Sequence, residues 1–160
     1  TPHSIYNRSG KITDPRSVGD RKCTKKHKMI LVQYLTDHEY SQPLTQKQLE
    51  SPSLKEFKTI AEFLFKQLDP NFKFEGKFID EVPVFFKGLG YPFNISKTAL
   101  SAVGSPHTWP ALLGSLTWLL ELLAWLRLGE DVVASAEASE AAVADSEATV
   151  AAVLGSALVG

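Results

Sequence analysis

Cysteine is scarce in this chain of 160 residues: Cys23 is the single one. An internal disulfide is therefore excluded, and a reducing compartment is expected. The first twenty residues are polar and lack the apolar stretch of a secretory signal. No histidine pair has metal-ligand spacing, since His3, His27, His38 and His107 are scattered and no His-Glu-x-x-His string occurs. Gly88-Leu89-Gly90 lacks the third glycine of a dinucleotide loop, and there is no phosphate-binding P-loop. Cys23 lies among Lys22, Lys25 and Lys26 but has no base and orienting group to make it a nucleophile. With no catalytic residue, metal ligand or cofactor motif to assign, the chain is expected to be a non-enzyme that holds no cofactor. Strand alternation is absent too, which leaves an all-α body.

Charge is distributed unevenly. The net charge is −1, yet residues 1–128 carry all 17 lysines and arginines against 12 acids. Residues 129–160 carry six acids, no base and no aromatic residue, and ten of these 32 residues are alanine. A basic body suits an acidic partner. Residues 1–20, rich in Ser, Pro, Gly and Arg, read as a flexible arm, residues 21–128 as the folded domain, and residues 129–160 as an Ala/Glu-rich tail or linker, either a solvated helix or mobile.

Helix signals recur through the body. Residues 21–40 carry an apolar stripe behind a basic start made of Arg21, Lys22, Lys25, Lys26 and Lys28, with Asp20 as the expected N-cap. Thr45 with Gln48, and Ser53 with Glu56, have capping-box spacing. Residues 77–89 form an amphipathic helix containing Pro83, with Asp80-Glu81 on its solvated face, and Ser96 caps a short helix. Thr108 and Pro110 have the chemistry of a helix entry. Residues 111–128 are apolar enough to raise the question of a membrane span. Glu121 in mid-run favours burial in protein, so no membrane partner is expected. Trp118 and Trp125, seven residues apart, fall nearly on one helix face and are candidates for docking a helical partner.

Two strings are more specific than any of these. Leu89-Gly90-Tyr91-Pro92-Phe93 is followed by Ile95-Ser96-Lys97, and Pro106-His107-Thr108-Trp109-Pro110 comes soon after. Together with Asp14-Pro15-Arg16 and Ser51-Pro52-Ser53 upstream, they closely resemble the N-terminal calponin-homology domain of the HEC family of kinetochore proteins, over about residues 11–126. The resemblance implies an all-α calponin-homology domain with a flexible N-terminal arm and an Ala-rich C-terminal tail. It also implies microtubule binding in the nucleus, at the kinetochore of the centromere. The implied partners are the tubulin lattice, a NUF-type subunit as heterodimer and the other kinetochore complex subunits, with no nucleic acid.

Carried over by motif, the lysines facing tubulin would be Lys47, Lys87, Lys97 and Lys11. His107 and Trp109 would be structural. The bases at Arg21, Lys22, Lys25, Lys26 and Lys28 exceed what the family leads one to expect and would widen the footprint. The family's phosphorylated basic tail would survive in residues 1–20, with Ser4, Ser9 and Ser17 as candidate sites. Two other readings remain at this point: a docking domain devoted to heterodimerisation, and an actin-binding calponin-homology module.

Overall fold

The computed structural model describes Asp14, Arg16 and residues 18–157. Lys11, Ser4, Ser9 and Ser17 lie outside the described residues. Six helices follow one another: α1 (Arg21–Asp37), α2 (Gln46–Glu50), α3 (Leu54–Leu68), α4 (Phe78–Gly88), α5 (Lys97–Ser101) and α6 (Trp109–Ala157). No strand occurs among the described residues. The chain divides into two compact units at the Glu121/Leu122 junction.

In the first unit, α3 is the central helix. Ser53 accepts from the Glu56 amide while the Glu56 carboxylate accepts from the Ser53 amide, so two otherwise unpaired donors of the first turn are satisfied. Phe57, Ile60, Ala61, Leu64 and Phe65 then fall on one face and are all buried. Asp69, in extended conformation before Pro70, ends the helix. The α2 helix starts with the same reciprocal cap, Thr45 with Gln48.

Aromatic rings fill the space beside α3. Phe65 is surrounded by Phe72, Phe74, Phe85 and Phe86, with ring centroids 4.9 to 6.0 Å away. Phe57 meets Trp109 edge-on at 6.4 Å. The α1 helix buries His27, Leu31 and Leu35, spaced four apart, and leaves its basic first turns in solvent. Asp20 takes the extended backbone of an N-cap, but its carboxylate makes no capping bond.

The opening of α6 is a core helix. Trp109, Leu112, Leu113, Leu116, Leu119 and Leu120 are buried. Ser115 and Thr117, also buried, return their hydroxyls to the carbonyls of Leu112 and Leu113 at 2.6 and 2.9 Å, which settles their hydrogen-bonding within the helix. By length and composition α6 passes the test for a membrane-crossing helix, but half of its apolar window is buried inside the protein. The Thr108 hydroxyl, expected as an accepting cap, instead donates to the Ala102 carbonyl, because the turn after α5 turns that carbonyl toward it. In the second unit α6 continues as one helix, and its described side chains from residue 124 onward lie exposed. Alanine supplies the helix propensity there.

Candidate functional site

Helix α4 presents an exposed stripe made of Asp80, Val84 and Lys87. These positions share a face because four- and seven-residue spacings nearly complete whole helical turns. Val82 and Phe86 take the opposite side into the core. Lys97, at the first position of α5, reaches across and pairs with Asp80 at 2.6 Å. Lys87 and Lys97 therefore reside on the same side of α4, separated along its axis by about 10 Å. The ion pair is open to water, with the two side chains 68% and 49% exposed. It draws the Asp80 carboxyl below the usual range, chiefly through the hydrogen bond from Lys97. An exposed pair of this kind is worth little, so Lys97 can exchange Asp80 for another carboxylate. Lys87 is in the last turn of α4, where the helix dipole favours a cation.

Glu81, expected in solvent, instead closes the preceding loop: its Oε1 accepts from the Gly76 amide at 2.9 Å. Lys47 is exposed on α2, a separate element. That helix is tied to α3 by Gln48 Nε2, which donates to Glu56 Oε1 at 2.7 Å. The structure thus brings Lys87 and Lys97 together and places Lys47 elsewhere on the surface. His107 is exposed, whereas Trp109 is buried.

Two of the specific strings meet in space. The Arg16 side chain grips the Asp14 carboxylate, Nε donating to Oδ1 and Oδ2 at 2.9 and 3.0 Å and Nη2 to Oδ2 at 2.6 Å. Its guanidinium carbon lies 6.0 Å from the centre of the Phe93 ring. Tyr91 is buried beside them, and burial pushes its phenol up to about 12. Gly114 packs under this junction: a Cβ there would come within 2.9 Å of Val18 Cγ1, so the Val18 side chain would have to shift. Sequence reasoning used Asp14-Pro15-Arg16 and Leu89-Gly90-Tyr91-Pro92-Phe93 as separate signatures; their mutual contact was the part it missed.

The basic start of α1 divides between two sides. Arg21, Lys25 and Lys28 line a groove facing α2, and Lys22 and Lys26 are exposed outside it. Lys28 pairs with Glu50 at 2.6 Å. The two docking candidates on α6, Trp118 and Trp125, also differ. Trp118 packs on Tyr91 at 5.1 Å and on Phe86, while Trp125 is 77% exposed. Among the described residues, no three His, Cys, Asp or Glu side chains gather where they could hold a metal ion.

Fold and surface together define an all-helical, calponin-homology-like domain. The sequence model of the HEC/Ndc80p family matches residues 22–131, and the chain belongs to that family. It is 39% identical over 120 residues to the kinetochore protein NDC80 homolog of Xenopus laevis and 40% identical over 120 residues to that of Mus musculus; each match covers 74% of this chain. The kinetochore protein ndc80 of Schizosaccharomyces pombe is 41% identical over 114 residues, 70% of this chain. The chain spans about a fifth of the length of these relatives, 18 to 19%.

Proposed function

We propose that the chain is the microtubule-binding module of an outer kinetochore complex, attaching chromosomes to spindle microtubules through lysines set against acidic tubulin. The observation that carries this reading is the α4 face, where exposed Lys87 and Lys97 flank the exposed apolar Val84. Family membership supports it, as do the kinetochore names of the relatives. Exposed lysines on a rigid helix surface steer encounter with an anionic lattice and lose strength as salt rises. Lys47, on α2 and apart from that face, is a further candidate contact. Lys11, outside the described residues, is proposed as a further contact from the preceding segment. A NUF-type subunit is the heterodimer partner in this reading, other kinetochore subunits complete the assembly, and the place of action is the kinetochore in the nucleus. Phosphate added at Ser4, Ser9 or Ser17 would weaken attraction to tubulin.

The test is cosedimentation with microtubules at low and moderate salt. Wild type should pellet in a salt-sensitive way, and folded Lys47→Glu/Lys87→Glu/Lys97→Glu should stay in solution. Equal pelleting by both would remove these lysines from the site. Cosedimentation with actin filaments separates the actin-binding alternative.

A further inference from the structure

A groove of about 990 Å3 lies between α1, α2 and the turn that leads into α6. One wall is a cationic stripe: Arg21, Lys25 and Lys28 follow one another along α1 at spacings of four and three. The same face carries Met29, which is 65% exposed, and Val32. Glu50, the one acid on the lining among the described residues, already accepts from Lys28 at 2.6 Å. The walls are held in place. Trp109 Nε1 donates to the Leu49 carbonyl at 2.8 Å, and Ser51 Oγ donates to the Gly104 carbonyl at 2.8 Å.

The bases do not serve their own helix. The first turn of α1 contains no acid, and cations near a helix N-terminus oppose the dipole. Their presence costs helix stability, and Met29 stands exposed on the same face, so the two features together fit a ligand outside the helix. An anion alone would explain the bases but not Met29. A purely apolar ligand would leave Arg21 and Lys25 unmatched. Single-stranded nucleic acid held by base stacking would need exposed rings, yet Trp109, the one aromatic residue on the lining among the described residues, is buried and engaged.

We infer that this groove docks an acidic peptide segment of a partner protein that carries apolar anchors, its carboxylates on Arg21 and Lys25 and an apolar side chain on Met29. Lys87 and Lys97, the lysines of the proposed lattice face on the α4 side, do not line the groove. The test involves no tubulin, so its failure is distinguishable from a failure of the microtubule reading.

The probe is a fluorescein-labelled peptide of glutamates interrupted by leucines, followed by fluorescence anisotropy on the whole chain. Polyglutamate and single-stranded oligothymidylate serve as comparators. Wild type should bind the leucine-bearing peptide at least about tenfold tighter than either comparator. Arg21→Glu/Lys25→Glu and Met29→Glu should each weaken it by about tenfold or more, and Met29→Ser should weaken it less, with circular dichroism unchanged. The Trp109 indole N–H resonance should move on titration with wild type. Lack of binding, equal binding of polyglutamate or oligothymidylate, or full binding by the folded variants would overturn the inference.

Discussion

The indole N–H of Trp109 donates to the main-chain carbonyl of Leu49 across sixty residues of sequence, at 2.8 Å. This bond fastens the start of α6 to the end of α2 while the ring meets Phe57 edge-on. Trp109→Phe keeps most of the packing and leaves the carbonyl unpaired. It should cost about 1–3 kcal/mol, read as a lower urea midpoint at unchanged m-value. Loss of lattice binding without loss of stability would instead make Trp109 part of the binding face.

Gly104 lies beside the same junction. A Cβ there would come within 2.6 Å of the Pro52 carbonyl oxygen and 2.8 Å of Ser51 Oγ. Because one of these obstacles is backbone, Gly104→Ala should destabilise the domain by about 1–3 kcal/mol. Thermal unfolding checks it, and an unchanged midpoint would show that the turn yields freely.

His27 is buried on α1, its Nε2 3.6 Å from Cys23 Sγ. Burial lowers its pKa, with Arg16 and Lys26 pushing the same way and Asp14 and Glu121 opposing. The folded protein therefore binds this proton less readily than the unfolded chain does. Stability should begin to fall as pH drops past the ordinary histidine value of about 6.5 and stop falling from this cause below the lowered pKa. His27→Gln should flatten that part of the profile. The carboxyls of Glu56 and Glu50 stand below their usual range, held by the Ser53 amide and by Lys28 respectively. Their contribution is present above the ordinary glutamate pKa and is lost at lower pH, in a separate acid step.

Asp80 is the acid inside the proposed lattice face, and it engages Lys97. Asp80→Asn removes a negative charge and releases that lysine. Microtubule affinity at low salt should rise severalfold, and the gain should shrink as salt increases. An unchanged or lower affinity would place Lys97 outside the contact.

Much of the fold was legible because its signals are local. The reciprocal caps Thr45/Gln48 and Ser53/Glu56 and the buried face of α3 follow from spacing alone, and the structure has them where the spacing predicts. The role of Thr108 was not legible, since a hydroxyl that can cap a helix can equally close a turn, and the Ala102 carbonyl decides between them. Long-range ties such as Arg16 over Phe93 and Ser51 to Gly104 leave no periodic trace. Residues 129–160 showed alanine-rich propensity without a clear apolar stripe, which left helix and mobile tail equally open; the described part is helix. At the site, Lys87 and Lys97 came from motif resemblance. Their shared side of α4 emerges only once Asp80 joins them in space.

The central claim is that the lysines on and beside α4 touch tubulin, and carbodiimide cross-linking of the intact chain to assembled microtubules tests it most directly. This zero-length reagent joins only amines and carboxylates already in contact. Mass spectrometry should recover links from Lys87, Lys97 and Lys47 to acidic tubulin peptides, suppressed by added salt, with none from Lys66, which pairs with Glu62 along α3. Links confined to Lys22, Lys25 and Lys26, with Lys87 and Lys97 unmodified, would contradict the claim and move the contact to α1.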